Sequence, residues 1–221
     1  MTEEEYTSKQ YDQIGRQYIS NQKEFFSVRK DWSREKLHTA LNSVRGKKML
    51  DIGCGGGADV LWLEEKGTEV YGIDISSSML ELARKTVKDP ENIQEGSYEK
   101  IPFADNFFDI IMGRFSLHYL KNLDDSYKEI ARVLKPCGIF VQLVSHPVFD
   151  ASLVPNDEGK IKVELYEGKV IVEFFSHALT DYFSPTFLNL FDLKEIDENE
   201  SVDAKNPNHL PEILFYKAIK R

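Results

Sequence analysis

Residues 47–57 read Lys-Lys-Met-Leu-Asp-Ile-Gly-Cys-Gly-Gly-Gly, and the rest of the chain is most easily understood outward from them. A short apolar run (Met49, Leu50, Ile52) enters a glycine cluster, Gly53, Gly55, Gly56 and Gly57. A helical pattern with Val60, Leu61 and Leu63 follows. A strand, a glycine turn and a helix in that order form the beginning of a nucleotide site. Glycine suits the turn because the backbone must reverse tightly there with no Cβ between it and a ligand. The next strand, Glu69 to Ile73, ends on Asp74, an acid placed to accept two ribose hydroxyls.

Two nucleotide classes compete for this beginning. Gly53-x-Gly55-x-x-Ala58 satisfies the dinucleotide fingerprint, with Asp74 near the expected offset of ~20 residues. Asp51 argues the other way. It stands two residues before the first glycine, where a carboxylate repels a pyrophosphate and favours a cation. S-adenosylmethionine carries an ammonium and a sulfonium and has no phosphate.

The downstream sequence favours the cationic ligand. Ile93-Gln-Glu-Gly-Ser-Tyr-Glu-Lys-Ile-Pro-Phe103 precedes Asn106-Phe-Phe-Asp-Ile-Ile-Met112. Leu117-His-Tyr-Leu120 and Glu129-Ile-Ala-Arg-Val-Leu-Lys-Pro-Cys-Gly-Ile139 follow. This ordered series, from about Lys47 to Val144, resembles the class I S-adenosylmethionine-dependent methyltransferases, in particular the small-molecule group called methyltransferase type 11. The resemblance implies an α/β, Rossmann-like, mostly parallel seven-stranded sheet with helices on both faces. It further implies a cofactor lying across the C-terminal ends of the first, second and fourth strands, with S-adenosylhomocysteine as product.

One domain over residues 1–221 is expected, since that length suits a single sizeable core. Its parts read as an N-terminal helical cover (1–45), a cofactor-binding core (46–145), a hairpin-bearing insertion after the fifth strand (146–182), and a last helix with two strands (183–221). The formal net charge is -9, with 41% hydrophobic and 29% charged residues. That balance fits a soluble globular chain and suits a polyanion poorly, so no nucleic-acid partner is expected. An Asn-Pro-Pro-Tyr-like tetrapeptide, which the resemblance associates with amino-methylation of nucleic acids, is absent after Met112. Two cysteines give no disulfide framework, and no apolar run approaches ~18 residues. A cytoplasmic protein with no membrane partner, monomeric or homodimeric, and with no metal, is the expectation.

Within the cofactor loop, Gly53, Gly55 and Gly57 allow close backbone approach, and Cys54 lies between them. Asp51 is assigned to the cationic amino end, directly or through water, and Asp74 to the ribose, with the adjacent Ile75 a further cofactor-binding candidate. Asp74 could equally cap the following helix, whose own cap is Ser76. By resemblance Met79 rests against the adenine, although plain core packing explains a methionine there as well. Ser97 departs from the family pattern, which carries an acid toward the adenine amino group, and Tyr98 is a candidate to cover the ring. Arg114 is a candidate for the methionine carboxylate or a substrate anion, or a surface charge.

Three residues are candidates for catalysis. His118 follows the fourth strand and is the titratable group best suited to handle a proton, unless it is a satisfied structural histidine. Tyr11 and Tyr18 belong to an aromatic series (Tyr6, Tyr11, Ile14, Tyr18) at helical intervals. Such a stripe is core or interface packing, or by resemblance a cover that points a hydroxyl at the cofactor. The insertion, with two strands around Glu167-Gly168, is a candidate lid lined by His146, Phe149, Tyr166, His177 and Tyr182. Its other reading is an extension of the sheet or a dimer contact. Asn199 to Pro211 is polar and could close over a substrate. Two rival functions remain: an NAD-dependent oxidoreductase, and a non-catalytic S-adenosylmethionine-binding module.

Overall fold

The apolar pairs that alternate along the first strand decide the layering. In β1 (Lys48–Ile52), Met49 packs into one core layer and Leu50 with Ile52 into the other. Successive side chains of a strand point to opposite faces, so a strand apolar on both sides must be covered on both sides. The computed structural model, which describes residues 2–199 and 210–221, shows this arrangement.

The chain begins with α1 (Glu3–Phe26), whose Thr2 and Glu5 form a capping box, and α2 (Trp32–Ala40), capped by Asp31. After β1 come α3 (Ala58–Glu65), β2 (Glu69–Asp74), α4 (Ser77–Thr86), β3 (Ile93–Glu95) and β4 (Phe108–Arg114). Then follow α5 (Asp124–Val133), β5 (Leu134–Ser145), α6 (Pro147–Asp150), β6 (Lys160–Leu165) and β7 (Val170–Phe175). The chain closes with α7 (Leu179–Tyr182), α8 (Pro185–Leu190), β8 (Phe191–Glu198) and β9 (Ile213–Lys220).

Seven strands form one sheet in the order β3-β2-β1-β4-β5-β9-β8. The pairs from β3 to β5 are parallel, and β9 runs antiparallel to both its neighbours. Leu37 of α2, Val60 and Leu63 of α3 and Leu80 of α4 fill one face, while Tyr127 and Ile130 of α5 and Phe187 of α8 fill the other. Fully burying each such apolar side chain contributes about 1.5–3 kcal/mol, which makes the sheet a rigid platform. From β1 the chain moves to β2 and β3 on one side, then returns to β4 and β5 on the other. The strand order therefore reverses at the β1–β4 boundary, where open α/β sheets form a crevice at the C-terminal strand ends.

Three further details complete the fold. β5 starts at Leu134, five residues earlier than the apolar run from Ile139 suggests, because Leu134 already pairs with Phe108. A register shift between Phe108 and Ile110 and a positive φ at Cys137 (60°) absorb Pro136 and its neighbours. Residues 147–150 form a short helix rather than a loop, because the His146 ring accepts the Val148 N–H at 3.1 Å. The β6–β7 hairpin turns at Tyr166, Glu167 and Gly168, all with positive φ, and makes its own two-stranded sheet instead of extending the large one. It packs Ile161, Val172 and Phe174 with Tyr119 and against Tyr11, Ile14 and Tyr18 of α1. Of the stretch from Asn199 to Pro211, residues 200–209 lie outside the described residues, and so does the closure suggested for them.

Candidate active site

The crevice at the β1–β4 boundary is a cleft enclosing about 760 Å³ of empty space, part of it open to solvent. Its floor is the turn after β1 and the ends of β2 and β4, and its roof is α1. Gly53, Gly55, Asp74, Ile75, Met79, Ser97, Tyr98, Arg114, Tyr11 and Tyr18 all line it, so most of the sequence candidates are brought together. Asp51, Cys54, Gly57 and His118 are not on its wall.

The glycine turn is shaped by two constraints. The Gly53 and Cys54 N–H groups donate to the Ile73 carbonyl at 2.8 and 3.0 Å, which locks the turn against the end of β2. At Gly53, φ is 74° and an added Cβ would sit 2.4 Å from the Ser116 Cβ, so only glycine is accommodated. Gly55 is different: an added Cβ would meet nothing within 4 Å, leaving its backbone open to a ligand.

Asp74 is held by that turn. One carboxylate oxygen accepts the Gly55 N–H and the other the Ser76 N–H, each at 2.9 Å. Both oxygens keep lone-pair capacity for further donors. Burial pushes the Asp74 carboxyl above its usual range, against the lowering effect of the backbone N–H groups. Asp74 thus orders the turn before α4 and faces the cleft, while the cap of α4 falls to Ser76. Ser76 itself caps α4 by accepting the Met79 N–H at 3.2 Å.

Behind the cleft wall at Arg114 lies a cluster of acids and arginines. Arg114 donates to Asp59 at 2.7 Å and lies 3.9 Å from Asp31, and Arg34 lies 3.3 Å from Asp59. The Arg114 charge is thus already neutralised, contrary to its reading as a free surface cation. Asp51, only 3% exposed, lies in the same field, and burial pushes its carboxyl well above the usual range, with Asp59 adding to the shift. Among the described residues, no hydrogen bond holds it in that state and Arg114 is the charged neighbour that opposes the shift. Asp31 and Asp59 balance the two guanidiniums of Arg34 and Arg114, so Asp51, once ionised, adds a negative charge that a cation would balance.

Several expectations need correction. His118 is 2% exposed, its Nδ1 accepts the Ser145 N–H at 3.4 Å, and its ring lies 4.3 Å from that of Phe174. Burial pushes its pKa down to about 3, so it stays neutral, and it does not line the cleft. The Tyr98 hydroxyl points inward to Ser116 Oγ (2.8 Å) and Gln142 Oε1 (3.1 Å) instead of lying over a ring. Gly113 makes room for it, since a Cβ there would stand 2.0 Å from that hydroxyl. None of His146, Phe149, Tyr166, His177 and Tyr182 lines the cleft. His146 pairs with Glu198, and Tyr182 is buried in the main core. What the insertion does contribute is Phe174 and Val172 as backing for the aromatic roof.

The roof is tighter than the tyrosine stripe implies. The Tyr11 and Tyr119 hydroxyls are 2.6 Å apart, and the Tyr11 ring packs edge-on to Tyr18 at 5.5 Å. Burial holds the Tyr11 hydroxyl well above its usual pKa, so it is a neutral hydrogen-bonding group. Glu3, Glu4, Thr7, Phe115, Ser116 and Leu120 also line the cleft and escaped the sequence reading. The i, i+3, i+7 spacing of Glu4, Thr7 and Tyr11 is the signal that could have found the first of them.

Behind the cleft, around His118, lies a polar pocket with a pH-dependent cost. Asp150 is fully buried and accepts from Ser145 Oγ through one oxygen. Its other oxygen, the Tyr182 hydroxyl and His177 Nε2 have no hydrogen-bond partner among the described residues. Burial raises the Asp150 pKa from 3.8 to about 7. The folded state thus binds this proton more tightly than the unfolded state, and the associated stability disappears as pH rises through about 7. Asp150→Asn, which mimics the protonated acid, is expected to be more stable than wild type at pH 8 by roughly 1–3 kcal/mol. The gain should shrink toward pH 5; equal melting-temperature differences at both pH values would contradict it.

Comparison with known proteins agrees with this architecture. Residues 50–142 match the family described as Methyltransferase domain. A demethylmenaquinone methyltransferase of Staphylococcus saprophyticus is 36% identical over 123 residues, covering 53% of this chain and 52% of that protein. Sterol 4-C-methyltransferase strm-1 of Caenorhabditis elegans is 36% identical over 123 residues, covering 53% of this chain and 35% of that protein. The chain thus spans about half or less of the length of these relatives. The crystal structure of an S-adenosylmethionine dependent methyltransferase from Mesorhizobium loti superposes with a TM-score of 0.67 at 23% identity, covering 85% of this chain and 96% of that one. The [4+2]-cyclase SpnF does so with a TM-score of 0.71 at 15% identity, covering all of this chain and 97% of that one. At such identities the two structures establish the fold alone. Residues 50–142 thus match the Methyltransferase domain family, and the seven-stranded sheet has the fold of these solved structures.

Proposed function

We propose that this protein transfers a methyl group from S-adenosylmethionine to a small-molecule acceptor. The observation that carries the reading is the buried acid behind one end of the cleft, Asp51, which among the described residues has no hydrogen-bond donor. A pyrophosphate would meet repulsion there, which disfavours the dinucleotide alternative, and an ammonium would find its counter-charge. Asp74 is set to accept ribose hydroxyls, the open side of Gly55 leaves room for the ligand's chain, and Ile75 and Met79 give an apolar seat for a planar base. The residues present therefore fit the cofactor, and Asp51, Gly53, Gly55, Asp74, Ile75 and Met79 are those assigned to hold it.

The bound cofactor supplies an electrophilic methyl group on a sulfonium. The protein's own part is alignment and exclusion of water. The α1 roof and the Tyr11–Tyr119 pair cover the cleft, and holding two reactants in place can supply roughly 7–11 kcal/mol at the ideal limit. With His118 off the cleft wall, no histidine among the described residues lines the cleft, so Tyr11 and Tyr18 are assigned to orient the acceptor rather than to ionise it. A net charge of -9 and the small-molecule names of the matched relatives support a small acceptor. No helix among the described residues is long and apolar enough to cross a membrane, and both cysteines are free, which suits a reducing cytoplasm. Domain boundaries at about 45, 145 and 182 are proposed from the change between cover, core and insertion.

The test is a calorimetric titration with S-adenosylhomocysteine and, separately, NAD. Binding of the first near micromolar Kd and none of the second is expected. NAD binding alone, or binding of neither, would overturn the assignment.

A further inference from the structure

Helix α1 runs along the length of the cleft, and its contacts fix which part covers which end. Near its C-terminal half, the Ile19 side chain lies against Gly56 of the glycine turn, and Gly15 faces Ser78 and Met79. Further toward the start, Asp12 accepts from the Ser78 N–H at 3.0 Å, and Ser8 Oγ donates to the Ile75 carbonyl at 2.9 Å. At the beginning, Glu3 accepts the Lys121 N–H at 3.2 Å. Glu4 therefore lies at the end of the cleft farthest from the glycine turn, together with Ser97 on its wall. Between Glu4 and Tyr18 there are about 21 Å of helix.

Among the described residues, Glu4 Oε1 is buried and has no hydrogen-bond partner. Nearby Glu99 has its carboxyl pushed up by burial and by Glu4, Glu3 and Asp125, so the charged groups acting at this end are also negative. Ser97 Oγ accepts the Lys100 N–H at 3.2 Å. A buried carboxylate oxygen without a donor is costly, and a ligand N–H at that spot removes the cost. S-adenosylmethionine has three donor sites: its ammonium, its ribose hydroxyls and the exocyclic amine of adenine. With the ammonium set toward Asp51 and the ribose at Asp74, the amine is the donor left for the far end.

We infer that Glu4 accepts a hydrogen bond from the adenine amine, which makes the first turn of α1 part of the base-recognition site. The inference rests on the proposed cofactor and adds a residue outside the 50–142 core to its binding. It is tested by calorimetry of wild type and Glu4→Gln with S-adenosylhomocysteine and with S-inosylhomocysteine, whose 6-oxo group replaces the amine. Wild type should prefer the adenine ligand by about 10- to 100-fold, the size of one charge-assisted hydrogen bond. In Glu4→Gln that preference should fall toward unity. The variant should stay folded, because the helix cap belongs to Thr2 and Glu5. Equal wild-type affinity for the two ligands overturns the inference without any variant. So does a Glu4→Gln protein that keeps the wild-type preference or weakens both ligands equally. Failure of S-adenosylhomocysteine to bind wild type would instead remove the cofactor reading itself.

Discussion

Asp74→Ala should lower affinity for S-adenosylhomocysteine by about 10²- to 10³-fold while leaving the protein folded. Two ribose hydroxyls donating to one carboxylate make charge-assisted bonds worth roughly 1.5–3 kcal/mol each, and every 1.4 kcal/mol is about tenfold. The fold should survive because Ser76, and not Asp74, caps α4. What the substitution leaves behind is two backbone N–H groups, on Gly55 and Ser76, without their acceptor. That costs about 1–3 kcal/mol for each that stays dry, and water entering the cleft would lessen it. Titration alongside a thermal melt separates the two effects. Unchanged affinity would remove Asp74 from the binding site.

Asp51→Asn should have opposite effects on stability and on binding. In the ligand-free protein Asp51 is a buried acid without a hydrogen-bond donor, and its pKa is raised chiefly by burial. A raised folded pKa means that the stability it contributes at low pH is lost as pH rises. Asparagine removes that loss, so the variant should melt higher at pH 8, by an equivalent of roughly 1–3 kcal/mol, and gain little at pH 4. Binding should weaken by about 100-fold, because the counter-charge for the ligand's ammonium is gone. In wild type, affinity should increase with pH as Asp51 ionises. A variant that binds as tightly as wild type would show that Asp51 is structural. A residue costly to the empty protein and needed by the full one is the trade-off expected of a binding site.

The cofactor half was legible because its signals are local. The Met49–Ile52 run, Gly53 and Asp74 carry their roles in strand period, turn geometry and position at a strand end, and none needs a distant partner to be recognised. The acceptor half was not. His118 follows β4 as an active-site residue would, yet the 3₁₀ turn Leu117–Tyr119 rotates it into the core and leaves Tyr119 on the wall. His177 and Tyr182 look like lining residues in a loop-rich insertion, but their direction is set by docking of the hairpin, which sequence period does not encode. Glu4 reads as one of three acids that suit a helix start, and only the cleft reveals its unpartnered oxygen. Likeness to SpnF, a cyclase, shows how far fold alone leads, since one scaffold carries different chemistries.

The roof also dictates an order of assembly on the ribosome. Tyr6 bonds to Glu173 across 167 residues, and Gln10 pairs with the Glu173 backbone across 163. Helix α1 is synthesised first and must wait for most of the chain before the strand that secures it emerges. The parallel platform from β1 to β5 can gather meanwhile, since its contacts close over shorter loops. During that interval the tyrosine face of α1 lacks Phe174 and Val172 as backing, so it is the surface a nascent chain most needs to have shielded.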